Sequence, residues 1–123
     1  MSRWLALLTF ATLLSFACVS VQSGFAIGPE NNGATKDVTV GSELRLVLPA
    51  DLDWKIESTN TSALPLRNTQ VGSVGGSPIR IWNFDVKQAG EFVLRATGDA
   101  PCRRDTPPCA IPTVRYEFRI RAR

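Results

Sequence analysis

Two carboxylates two residues apart, Asp51 and Asp53, and two cysteines with six residues between them, Cys102 and Cys109, are the side chains of this 123-residue chain best spaced for chemistry. A carboxylate pair can share general acid and base work. Asp51 and Asp53 sit where a strand begins, however, and aspartate commonly occupies turns. The chain has no histidine, so the commonest general base and metal ligand is missing. No enzyme, cofactor or metal site is expected. Cys102 and Cys109 lie among Pro101, Pro107, Pro108 and Pro112, and in an exported chain such a pair reads as a disulfide stiffening one loop.

Export is read from the N-terminus. Arg3 precedes an almost unbroken apolar run, Trp4 to Val19, and polar sequence begins near Gln22. The run is short for a bilayer span, which takes roughly 20 apolar residues, and reads as a cleaved signal within residues 1–26. Cleavage after Ser20 or after Ala26 fits. Cys18 follows Ala17 at the end of the run, an arrangement also used for lipid anchoring, although Ser15 stands where leucine is usual. The chain is therefore expected to be secreted or periplasmic, with a lipid anchor at Cys18 as the second reading. Removing the first 26 residues leaves 97, enough for one hydrophobic core. Their 13 basic and 11 acidic residues leave a balance too mild for a nucleic-acid binder. Arg115, Arg119, Arg121 and Arg123 make the last strand locally basic, and are read as a solvated face.

The elements that must position these residues alternate with a period of two. Leu44, Leu46 and Leu48 share one face of Glu43–Leu48; Trp82, Phe84 and Val86 share one face of Ile79–Val86; Phe92, Leu94 and Ala96 do so in Glu91–Thr97. Val114, Tyr116, Phe118 and Ile120 repeat the pattern in Thr113–Ile120. Asp37–Val40 and Asp53–Glu57 are shorter strands, the second turning Trp54 and Ile56 toward the core. Leu64–Thr69, interrupted by Pro65, suits a sheet edge. Residues 27–36 read as a flexible polar lead-in to a domain spanning 37–123. No stretch of that domain shows a sustained period near 3.6. The expectation is all-β: an immunoglobulin-like antiparallel β-sandwich of about seven strands behind an N-terminal signal segment.

Alternate loops of a sandwich emerge at one end, so Pro49–Asp53, Gln70–Pro78 and Gly98–Pro112 should meet. Gly72-Ser73-Val74-Gly75-Gly76 reads either as a backbone approaching a partner or as a plain hairpin loop. Asn60-Thr61-Ser62 fits a glycosylation acceptor, a short match with meaning only in a eukaryotic source.

A family resemblance bears on these alternatives. Val40-Gly41, the run Leu44-x-Leu46-x-Leu48-Pro49, Trp54, Gly75-Gly76 leading into a strand that ends Asp85-Val86-Lys87-Gln88-Ala89-Gly90, and an aromatic last strand together resemble the chagasin family of cysteine protease inhibitors. The similarity spans roughly residues 37–123. It implies an immunoglobulin-like sandwich that blocks papain-like proteases reversibly with three loops, which carry Asn-Pro-Thr-Thr-Gly, Gly-x-Gly-Gly and Arg-Pro-Trp. Here Ala50, Asp51 and Leu52 stand in the first loop, which is shortened and lacks the motif. Ser73-Val74-Gly75-Gly76 approximates the second, with Gly72 as its first glycine if one residue is inserted. Ala100-Pro101-Cys102 stands in the third, keeping its proline. The implied partner is a papain-like cysteine protease, or another protein bound through the same rim, with no nucleic acid, no membrane span and a monomeric state. The alternative is a periplasmic or cell-envelope binding module without inhibitory activity.

Overall fold

A computed structural model describes residues 24–123. The segment read above as a signal, residues 1–26, and Cys18 within it lie outside the described residues, except that Gly24–Ala26 belong to the first strand. Eight strands form two four-stranded sheets. In chain order they are β1 (Gly24–Ile27), β2 (Thr35–Val38), β3 (Glu43–Pro49), β4 (Asp53–Ser58), β5 (Leu66–Val74), β6 (Ser77–Asp85), β7 (Gly90–Asp99) and β8 (Val114–Ala122). One sheet has the order β1-β3-β6-β5 and the other β2-β8-β7-β4. The all-β sandwich expected from the alternating pattern is found, with one strand more than the seven read from sequence.

The inner faces carry the residues the alternation selects. Leu44, Leu46 and Leu48 are fully buried and sit opposite Phe84, Trp82 and Arg80 of β6. Phe92, Leu94 and Ala96 of β7 face Ile120, Phe118 and Tyr116 of β8. Together with Ile27, Val38, Leu64 and Val86 they form one core. Trp54, Ile56 and Tyr116 are half-buried along its margin. Asn83, on the outer face of β6, is only 2% exposed; its amide donates to Asn68 Oδ1 at 2.6 Å and its oxygen accepts from Arg45 Nε at 3.3 Å. A polar side chain can be covered at this position because its bonding groups are met.

Residues 27–36, expected as a flexible lead-in, hold structure. β1 runs parallel to β3, pairing Phe25 with Leu44 and Ile27 with Leu46, and β2 runs parallel to β8. Between them the chain crosses from one sheet to the other through a 3-10 turn, Pro29–Asn31. Its polar residues are occupied: Asn31 Oδ1 accepts from Gly28 N at 3.0 Å, Asn32 Oδ1 from Glu117 N at 2.9 Å, and Gly33 N donates to Glu117 O at 2.7 Å. The polarity that suggests looseness serves these bonds. Neither parallel pairing leaves a local mark in sequence, because both partners of β1 and β2 come from distant segments.

Candidate functional site

The β3–β4 loop is a short part of the rim, three residues between its strands. Pro49 closes β3 opposite Ile79 of β6, and the next amide, Ala50 N, donates to Pro78 O at 3.0 Å. Three residues, Ala50, Asp51 and Leu52, then turn the chain into the second sheet. Asp51 is exposed, while Ala50 and Leu52 are half-buried. Trp54 anchors the turn: its Nε1 donates to Pro49 O at 2.6 Å and its ring stacks on Tyr116 with centroids 5.7 Å apart and planes 24° apart. The ring lies across Gly98, its cross-strand partner. A Cβ at Gly98 would meet ring carbons at 2.7–2.8 Å, so only glycine allows the indole to lie there.

The glycine-rich segment is mostly strand. Gly72, Ser73 and Val74 belong to β5, paired with Ile79, Pro78 and Ser77, which leaves a two-residue turn at Gly75-Gly76. Both glycines have positive φ, +56° and +82°, the requirement of the tight hairpin turn whose twist matches its flanking strands. The loop expected over Gln70–Pro78 therefore shrinks to its tip, and the edge strand read as ending at Thr69 extends to Val74. Gly72 is the source of the difference: it is tolerated inside an edge strand, where a Cβ would meet Ile79 and Ile81 at no less than 3.6 Å. Because β3 stops opposite Ile79, the hairpin overhangs it by three residues, about 10 Å. Ser73, Val74, Gly75 and Gly76 are all exposed.

The β7–β8 connection supplies the third part. A 3-10 turn, Pro101–Arg104, opens it, and Cys102 and Cys109 are joined in a disulfide with Cα atoms 5.4 Å apart. Cys109 N donates to Cys102 O at 3.2 Å. At the base of the loop Thr113 Oγ1 donates to Asp99 Oδ1 at 2.5 Å, and Arg103 Nη1 reaches the same carboxylate at 3.2 Å. The Thr113 hydroxyl, with Arg103 and Arg115 behind it, holds the Asp99 carboxyl below its ordinary range against a smaller opposing effect of desolvation. Arg104 crosses to Asp53 at 2.7 Å, tying the cystine loop to the first residue of β4. Ala100 is buried, 5% exposed, and its side chain faces inward; Pro101 is exposed.

The three segments thus share one end of the sandwich, through Ala50–Pro78 on one side and Arg104–Asp53 on the other. At the base of the hairpin Pro29, Val47, Pro49, Val74, Pro78 and Ile79 line a shallow, almost wholly apolar depression. Sequence reasoning missed the contribution of Pro29, Val47 and Ile79, and the tethering arginines Arg103 and Arg104. The charges are visible in the chain, but their partners are set by strand register. Asp51 and Asp53, weighed above as a catalytic pair, differ in setting: the first is free in solvent and the second is ion-paired. No cluster of three or more metal-ligating side chains occurs among the described residues.

No protein-family model matches the sequence, and no curated protein matches it by sequence. Solved structures do match. The cysteine protease inhibitor EhICP2 from Entamoeba histolytica superposes with a TM-score of 0.66 over 81% of this chain and 95% of its own, at 13% identity. The chain has the fold of this inhibitor. Amebosin matches with a TM-score of 0.58 over 82% of this chain and 99% of its own at 12% identity. PbICP-C, solved in complex with falcipain-2, matches at 0.51 over 83% and 91% at 11% identity. The sandwich implied by the chagasin resemblance is thus the sandwich of a known cysteine protease inhibitor. At these identities the likeness is one of architecture.

Proposed function

We propose that the chain is an exported inhibitor of papain-like cysteine proteases, acting reversibly by pressing its loop rim against the protease cleft. The observation that carries this reading is the convergence of Ala50–Leu52, the Gly75-Gly76 tip and the Pro101–Pro112 loop at one end of a scaffold shared with cysteine protease inhibitors. The Gly75-Gly76 tip offers backbone amides without side chains in the way. A stable complex buries about 1,200–2,000 Å² in total, within reach of three loops and the adjoining apolar depression. Since the β3–β4 loop is only three residues long, the overhanging hairpin is the leading element and the cystine loop a stiff flank. Export is supported by the disulfide. Cleavage after Ser20 leaves β1 whole, whereas cleavage after Ala26 removes three of its four residues; the first is the better site.

A second reading, a cell-envelope module that binds another protein through the same rim, is favoured by one feature. The middle loop lacks the inhibitory motif and Leu52 is half-buried, so the centre of the rim, where binding energy usually concentrates, is recessed. Inhibition assays of the exported protein against a panel of papain-like proteases separate the two. Competitive, reversible inhibition at or below micromolar concentration is expected; its absence across the panel removes the inhibitor reading.

A further inference from the structure

A sheet edge is a row of unpaired backbone donors and acceptors, and soluble proteins protect such rows with charge, proline, bulges or brevity. Three of the four edges here are protected. β1 and β2 are four residues each. β4 has six and carries Asp53, Lys55 and Glu57, with Arg104 over Asp53 and Lys55 3.2 Å from Glu57. The edge of β5 differs. It is nine residues long, contains no proline, and from Asn68 to Pro78 carries no charge. The bulge at its start falls between Leu66 and Asn68, where Arg67 is held by Glu43 and Asp85. From Asn68 to Val74 the register is regular, and Val71 and Val74 are 77% and 63% exposed. This edge has no strand partner among the described residues.

We infer that a second copy of this chain pairs with β5, antiparallel, about a two-fold axis through Val71. The segment is self-complementary in that register. Val71 meets Val71 of the other copy, Thr69 meets Ser73, Gln70 meets Gly72 and Asn68 meets Val74. No like charges are opposed, and a β-branched pair lies at the centre. Thr69, Val71 and Ser73 share the face of Trp82, and Asn68, Gln70, Gly72 and Val74 the other, so every residue in the register finds its partner on its own face. The two four-stranded sheets join into one of eight, and the contact closes on itself without leaving a new edge. One strand pair is a small interface beside the 1,200–2,000 Å² typical of stable complexes, so the dimer is weak and dependent on concentration, in place of the monomer implied by family resemblance. The same register sets Gly75 opposite Arg67 of the second copy, which crowds the hairpin tip. Self-association and use of the rim therefore compete.

Sedimentation velocity of the exported protein, from micromolar to near-millimolar concentration, tests this. The unmodified protein should pass from monomer to dimer and no further. V71K and V71E, at an exposed position, should each weaken association at least about tenfold because like charges then face each other across the axis. An equimolar mixture of the two should restore it. Amide exchange over residues 68–74 of the unmodified protein should slow as concentration rises. A protein that stays monomeric throughout, associates without limit, keeps its dimer in V71K, or shows exchange over 68–74 independent of concentration overturns the inference. Because these readouts need no protease, failure here leaves the inhibitor reading intact, and failure of inhibition leaves the dimer intact.

Discussion

Substitutions at the hairpin tip distinguish a contact surface from a turn. At Gly76, φ is +82° and a Cβ would meet nothing within 4 Å, so Gly76→Ala costs backbone energy without a clash. A left-handed non-glycine residue costs about 1–2 kcal/mol, of which about 0.4–1 kcal/mol is offset because the unfolded chain also loses freedom. The net loss is up to about 1.6 kcal/mol, a fall in Tm of up to about 13 °C for a domain of this size. At Gly75, φ is +56°, also with open space around it, and asparagine both tolerates this conformation and favours the first position of such a turn. Gly75→Asn should therefore leave stability within about 0.5 kcal/mol of the parent while adding an amide side chain to the tip. Thermal unfolding and inhibition constants on the same samples give both coordinates. The expected pattern is a destabilised Gly76→Ala beside a fully stable Gly75→Asn that inhibits at least about tenfold less well. Equal stability of the two variants would refute the turn assignment, and an undiminished Gly75→Asn would refute the contact.

Two further outcomes concern the supports of the rim. Gly98→Ala sets a methyl 2.7 Å from the Trp54 ring, and should destabilise by about 1–3 kcal/mol and alter tryptophan emission as the indole leaves Pro49 O and Tyr116; unchanged emission would show that the ring is not held there. Asp99 titrates below its ordinary range, first because of the Thr113 hydroxyl, so its contribution is complete above the unfolded carboxyl value of about 3.9 and is lost as pH falls through the lower folded value. Thr113→Val should remove part of that acid dependence, read from unfolding midpoints between neutral and strongly acidic pH, whereas an unaltered profile would assign the depression to Arg103 and Arg115 alone.

What could be read from the chain follows the range of the interactions involved. The runs Leu44–Leu48, Phe92–Ala96 and Val114–Ile120 announce their buried faces because a strand imposes a two-residue period on its own sequence. The spacing of Cys102 and Cys109 carries the disulfide for the same local reason. β1 is hidden because Phe25 and Ile27 follow closely on the apolar N-terminal run, and its strand character comes from Leu44 and Leu46, some 19 positions away. β5 is cut short in the reading because Gly72 has the composition of a loop; its place beside Ile79 and Ile81 is a matter of register. The convergence of the three loops follows from sandwich connectivity and was legible. The ties among them, Trp54 to Pro49, Arg104 to Asp53 and Thr113 to Asp99, depend on which strand ends meet and were not.

The residues that hold the rim together are largely different from those free to touch a partner. Trp54, Gly98, Pro49, Asp99 and Thr113 hold one another in place, while Asp51, Ser73 and Pro101 are exposed and make few demands on the core. A scaffold divided in this way can change its rim at little cost to folding, since surface substitutions away from special backbone or buried polar features shift stability by no more than about 0.5 kcal/mol. The fold thus survives at 11–13% identity to its structural neighbours, while the shortened β3–β4 loop and the cystine at Cys102 redraw the surface that a partner meets. On the proposed reading, partner choice would be carried by the overhang of the Gly75-Gly76 tip relative to the recessed Ala50–Leu52 loop, a difference in height set by where β3 stops against β6.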